Sequence, residues 1–284
     1  MDEILLYANR MSTDLRTLLN LSAHGVDVYV GEGLSYPWGG LYGGHIVAQA
    51  LRAAAHSVEG GLLPHSLRAY FIRRGDNSEP VRYEVDRIRN GRSFATRRVV
   101  ARQSVGAILN LEASFQVAEE SADVQTIPFP DTLPKNSELP ATSWTDLFDR
   151  RPVAESVLAH SPCGGRGRVA AWMKVTHDLG DNELLQRCAL AYISDDLPTE
   201  AVVRSWPAAK KLVDAGSWPF NASLDHTVWF HRPLRADRWQ LHDLSCHSVV
   251  SGRGLAIGHV FSEDGIHVAT VAQEALVRLP RTAG

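Results

Sequence analysis

SLDHTVWFHRP, residues 223–233, is rich in β-branched and aromatic residues and reads as an extended strand, yet it carries one carboxylate and two histidines. Side chains alternate across a strand, so Asp225, Thr227 and Trp229 share one face while Leu224, His226, Val228 and Phe230 share the other. A second stretch, HSLRAYF at 65–71, aligns with LDHTVWF at 224–230, and each is followed two residues later by an arginine, Arg73 and Arg232. Where the later stretch has Asp225, the earlier has Ser66.

The repetition extends outward from this pair. NGRSFATRRVVARQ (90–103) resembles SGRGLAIGHVFSE (251–263) at Gly91-Arg92 and Gly252-Arg253, and AILNLEASFQV (107–117) parallels HVATVAQEALV (267–277) with Gln116 opposite Gln273. Upstream, an apolar extended run at 25–34 precedes a helix expected over His45–Val58, and RVAAWMKVTH (168–177) precedes a second helix over Glu183–Ile193. The first helix spaces Ile46, Val47, Ala50, Leu51, Ala54 and Val58 on one face; the second repeats the pattern with Leu184, Leu185, Cys188 and Tyr192 behind the caps Asp181 and Asn182. Their common order is that of a duplication. The stretch 118–143, with four prolines and no sustained periodicity, divides the chain into units at 1–117 and 144–284. One long helix cannot cover an antiparallel sheet, so two such units are expected to complete each other. That is an α+β double hot-dog: two tandem helix-wrapped antiparallel sheets joined edge to edge.

Bulk properties exclude several classes. The 284 residues are 44% hydrophobic and 21% charged, with 22 Gly and 14 Pro, typical of a globular protein with a full core. A net charge of −3 excludes a generally basic nucleic-acid binder, though a local arginine cluster can still meet a phosphate. Cys163, Cys188 and Cys246 form no CxxC pair, so no disulfide framework or thiolate zinc site is expected and a reducing cytoplasm is the default. The stretch MDEILLYANRMSTDL is acidic and lacks the apolar core of a signal peptide, and no run approaches the roughly 20 apolar residues of a membrane span. RTAG, the last four residues, is no peroxisomal tripeptide.

Several residues are candidates for chemistry. A carboxylate at Asp225 beside Trp229 on a partly buried face needs partners or a raised pKa, and such a group can act as general base on a water. The plainer alternative is that Asp225 caps its strand or pairs with Arg232. Gln273 interrupts an apolar strand, and a buried amide costs a few kcal/mol unless paired, so a partner or ligand is expected there. An amide, a carboxylate and a third polar side chain around one water can add that water to a carbonyl. The turn WGGLYGGH (38–45) opens onto a helix, so backbone N–H groups at Gly43, Gly44 and His45 could face an anionic oxygen; the plainer reading is a tight turn into the sheet. Arg73, Arg74, Arg82, Arg87, Arg89, Arg92, Arg97 and Arg98 form a basic stretch suited to a phosphate-bearing ligand, or simply to water. HExxH, HxH and Cys/His spacings are missing, so no metal is expected; GxSxG is missing too, which disfavours a serine hydrolase.

On GLYGGHIVAQALRAA, HSLRAYFIRRGD, NGRSFATRRVVARQ, ASFQV, AYISD, SLDHTVWFHRP and VAQEALVRL, in that order over nearly the whole chain, the sequence resembles the acyl-CoA thioesterase II family. The resemblance implies a tandem hot-dog that hydrolyses fatty acyl-CoA with a water held by a carboxylate, a hydroxyl residue and a glutamine. The carboxylate falls on Asp225 and the glutamine on Gln273. The hydroxyl position in LSCHSVVSGRG falls on His247, a departure that neighbouring Ser248 or Ser245 could offset. It further implies acyl-CoA as substrate, held near Gly43, Gly44, His45, Ser248 and Arg92, no cofactor, and an oligomer of at least two chains. A non-hydrolytic acyl-CoA sensor with a degenerate site is the alternative, and a hot-dog hydratase a more distant one.

Overall fold

The computed structural model describes residues 14–159 and 167–280; Cys163, the first thirteen residues and the last four lie outside this range. The first half contains α1 (Leu15–Leu18), β1 (Ser22–Ala23), β2 (Val28–Gly31), α2 (Gly43–His56), β3 (Leu63–Phe71), β4 (Val81–Asn90), β5 (Phe94–Gln103) and β6 (Gly106–Gln116). The second contains β7 (Phe148–Pro152), α3 (Glu155–Leu158), β8 (Arg168–Val175), α4 (Glu183–Ile193), α5 (Pro198–Ser205), α6 (Pro207–Asp214), β9 (Phe220–Ser223), β10 (Asp225–Phe230), β11 (Gln240–Val250), β12 (Arg253–Ser262) and β13 (His267–Arg278).

The strands form one antiparallel sheet in the order β1-β2-β4-β5-β6-β3-β10-β13-β12-β11-β8-β7, with β9 beside β13. The two halves run outward from the middle in the same pattern, and β3 and β10 join them from Asp225 opposite Tyr70 to Trp229 opposite Ser66. This is the tandem hot-dog expected from the repeat. The expected alternation holds in part within β10: His226, Val228 and Phe230 are buried and Trp229 is exposed, but Thr227, on the face of Trp229, is buried as well.

α2 is buried nearly all round, which marks a central rather than a surface helix. Ile46, Val47 and Leu51 are essentially inaccessible, each contributing about 1.5–3 kcal/mol of burial. Its small residues admit α4, the corresponding helix of the other half. An added Cβ on Gly44 would collide with the Tyr192 carbonyl oxygen, so glycine there permits the two helices to touch. α4 begins where Asn182 Oδ1 accepts the Leu185 N–H at 3.0 Å and buries Cys188 through Ile193. The buried Gln49 is satisfied structurally: Tyr83 donates its hydroxyl at 2.6 Å and Gln49 donates to the Leu18 carbonyl at 2.6 Å.

The segment between β6 and β7 crosses the outer face of the second half, where Ile127, Phe129, Leu133 and Leu139 pack on Trp172, Leu241 and Phe261. Among the described residues no helix is long and apolar enough to cross a membrane.

Candidate active site

Gln273 sits on the helix-facing side of β13 with no exposed surface. An unpaired buried amide would be costly, and the fold supplies partners at both ends. Opposite it on β10, His226 Nδ1 lies 2.5 Å from Gln273 Oε1, while Gln273 Nε2 donates to Ser223 Oγ at 2.8 Å and to Thr199 Oγ1 at 3.4 Å. Ser223 Oγ in turn donates to Asp195 Oδ1 at 3.3 Å, and Asp195 Oδ2 accepts the Gly44 N–H at 2.8 Å. On the far side of the imidazole, His226 Nε2 lies 2.9 Å from Ser194 Oγ. One chain of hydrogen bonds therefore ties the first turn of α2, the end of α4, β9, β10 and β13. Thr199, in the first turn of α5, closes it from above.

Electrostatics set the protonation states. Burial pushes the Asp195 carboxyl up to about 7, against the pull of the Gly44 N–H, the Gln273 amide and the Ser223 hydroxyl. Burial drives His226 down to about 4, so the ring is neutral; it donates Nδ1–H to Gln273 Oε1 and accepts from Ser194 at Nε2. That polarity turns the amide so that its N–H groups face the two hydroxyls. The neighbouring Asp196 is also raised by burial, and it is held at 3.1 Å by Arg150 and at 2.6 Å by the Trp144 indole. Aromatic rings of Tyr36, Trp38, Tyr42, Trp144 and Tyr192 pack around this end of the two helices. A neutral amide, a carboxylate titrating near neutrality and two hydroxyls in a desolvated site can orient a water and take its proton.

The expected trio is not brought together. Asp225 accepts the Glu274 N–H at 2.7 Å and lies 3.3 Å from Arg68, on the side of the strand opposite His226 and Gln273. The reason is a shift in pairing: β9 sets Ser223 against Ala275, whereas β10 sets Thr227 against Ala272, so one residue is gained between them and Ser223 and Asp225 part company. Asp225 has no bond to Arg232, which pairs with Asp123 at 2.5 Å. His247 occupies the bulge between Cys246 and Ser248 on β11; it and Ser248 are exposed, and neither bonds Gln273.

The glycine turn also differs from expectation. Gly43 and Gly44 belong to α2 itself, and the Gly44 N–H is already taken by Asp195 rather than open to a substrate oxygen. His45 is buried behind them, 3.0 Å from the Tyr36 hydroxyl and lowered to about 4 by burial. Arg92 is exposed on the turn between β4 and β5. Much of its basic stretch is neutralised by nearby carboxylates: Arg82 by Glu84 two residues on along β4 at 3.2 Å, Arg87 by Asp27 beside β2 at 2.7 Å and Arg98 on β5 by Asp86 on β4 at 2.5 Å. Arg97 is buried, donating to Ser57 Oγ and Asn90 Oδ1. Sequence reasoning missed Asp195, Ser223 and Thr199; AYISD carried the acid within a recognised stretch, but its partners lie far along the chain.

Sequence profiles of the acyl-CoA thioesterase N-terminal and C-terminal domains match residues 34–116 and 121–277. The chain belongs to the acyl-CoA thioesterase II family. Among relatives of this thioesterase family, acyl-coenzyme A thioesterase 8 of Homo sapiens is 33% identical, the alignment covering 93% of this chain and 88% of that protein. The crystal structure of an acyl-CoA thioesterase II, TesB2, from Mycobacterium marinum superposes with a TM-score of 0.78 at 34% identity, over 95% of this chain and 99% of that one. A protein of unknown function with a hot-dog fold from Alicyclobacillus acidocaldarius matches at a TM-score of 0.77 and 20% identity, over 93% and 98%, a likeness of fold.

Proposed function

We propose that the protein hydrolyses acyl-CoA to free fatty acid and CoA, with the Asp195–Ser223–Gln273 cluster as the hydrolytic site. The observation that carries this reading is a buried carboxylate, pushed up to about 7 by that burial, that accepts from the Ser223 hydroxyl to which the buried Gln273 amide donates. Gln273 and the Ser223 and Thr199 hydroxyls hold a water, and Asp195 takes its proton as the water oxygen bonds to the thioester carbonyl carbon. Collapse of the tetrahedral adduct breaks the C–S bond, and the departing thiolate recovers the proton. A thioester is already an activated acyl group, so no cofactor enters.

A second assignment of the acid keeps it on Asp225, with Gln273 and His247, as the family resemblance implies. It is favoured by the Asp225 carboxylate being partly open to solvent and bonded to Glu274, the residue next to Gln273. Finer readings stand with the main one: duplicated units at 1–117 and 144–284 joined by 118–143, fatty acid metabolism in the cytoplasm, and an oligomer. The exposed Tyr70 and Trp229 on the outer side of the joined strands support a sheet-to-sheet contact between chains.

The test is release of free thiol from acyl-CoAs of graded chain length. Turnover at any length supports hydrolysis; saturable binding with no thiol released across the series contradicts it and favours the acyl-CoA sensor.

A further inference from the structure

A cleft of about 330 Å³ lies among α1, α2 and the start of α4, lined by Arg16, Thr17, Asn20, Arg52 and Asn182 with two leucines beneath. α2 and α4 run in opposite directions, since the first turn of α2 meets Asp195 at the end of α4 while Arg52 and Asn182 share this cleft. Arg52 is eight residues beyond Gly44, which places the cleft about 12 Å along the helix from the Asp195–Gln273 cluster.

The charged side chains lining the cleft are both arginines. Of the nearby carboxylates, Asp14 caps α1 by accepting the Arg16 N–H at 2.9 Å, Asp178 and Asp181 are met by Arg235 at 3.5 and 3.3 Å, and Glu183 by Arg187 at 3.3 Å. Arg16 spends one guanidinium nitrogen on the Asp178 carbonyl, and among the described residues Arg52 has no ion pair. Asn182 uses its oxygen to cap Leu185, leaving its amide N–H groups as donors at the positive end of an eleven-residue helix. Two forked cations from separate elements, ringed by neutral donors, suit the several oxygens of a phosphate.

We propose that this cleft is a binding site for a phosphate-bearing group. Two sources share that chemistry: the phosphorylated nucleotide end of the coenzyme in the substrate, an identification that rests on the thioesterase reading, and an independent phosphate. The arginine stretch on β4 and β5 is a weaker candidate because its own carboxylates already neutralise it.

Calorimetric titration of the full chain with adenosine 3′,5′-bisphosphate and with inorganic phosphate tests the site without calling on hydrolysis. Arg52→Gln and Arg16→Gln, each checked for an unchanged circular dichroism spectrum and melting temperature, are expected to weaken binding of at least one probe by about tenfold or more. A coenzyme site also raises KM for acyl-CoA by a similar factor while leaving kcat, and hydrolysis of the acyl-pantetheine lacking the nucleotide, unchanged. Weakened phosphate binding with unaltered KM assigns the cleft to an independent phosphate. Absence of binding by both probes, or equal binding by wild type and both folded variants, overturns the proposal.

Discussion

His226 and Gln273 face each other across the pairing of β10 with β13, with imidazole Nδ1 and amide Oε1 2.5 Å apart and both residues inaccessible to solvent. The histidine of the DH pair, rather than its aspartate, thus orients the amide. Removing the amide removes the donor for both hydroxyls, so Gln273→Ala is expected to lower kcat by about 10²–10³-fold. Steady-state thiol release, with circular dichroism to confirm folding, checks this.

Gly44 is the point where the two halves touch through their helices. Because a Cβ there meets the Tyr192 carbonyl, Gly44→Ala forces α2 and α4 apart and disturbs the Gly44–Asp195 bond. A loss of about 1–3 kcal/mol is expected in denaturant unfolding. Gly180, around which an added Cβ meets open space but whose φ of +64° is strained for alanine, gives a comparison in which backbone conformation is the sole cost.

The activity should depend on the ionisation of Asp195. Its carboxyl is raised from 3.8 to about 7, and only the carboxylate can take a proton from water, so turnover rises with pH through about 7 and falls on the acid side. The same shift costs folding stability progressively as pH rises from 3.8, and the cost is complete above about 7, so Asp195→Asn should lose the acid limb of the rate profile while gaining stability at neutral pH. Rate profiles from pH 5 to 9 and melting temperatures check the two halves of this prediction.

Acid stability runs the other way through the histidines. Burial lowers His45 and His226 to about 4 and His242 to about 3, so the unfolded chain binds more protons than the folded one below 6.5. Their contribution is complete above 6.5 and is lost as pH falls toward 4; His267, also lowered to about 4, adds to it, and the raised carboxyls of Asp195 and Asp196 oppose it. The melting temperature is therefore expected to drop over that window, and His242→Leu to flatten the drop.

Much of this architecture was legible in local sequence. The α4 boundaries follow from Asn182 as cap and the apolar spacing behind it, and the burial of His226, Val228 and Phe230 follows from simple alternation. α2 starts two residues before the expected His45, because Gly44 admits the Tyr192 carbonyl of α4 and Gly43 admits the Asp195 carboxylate and the Phe71 ring, partners far away in the sequence. α5 and α6 were not foreseen, although Pro198 and Pro207 each stand at a first helical position, a usable start signal. The site was harder. Which face of β13 meets which face of β10 depends on the one-residue shift after Ser223, and the Asp195–Gly44 bond joins residues 151 apart. Long-range register of that kind leaves no local periodicity.

The most direct measurement of the central claim is thiol release by Asp195→Asn beside Asp225→Asn, each confirmed folded, at pH 8 under saturating acyl-CoA. The account predicts that the Asp195 variant loses turnover by about 10²-fold or more, while the Asp225 variant, whose carboxylate bonds Glu274 and Arg68, keeps most of it. Full activity in Asp195→Asn together with collapse in Asp225→Asn would contradict the assignment and return the acid to β10.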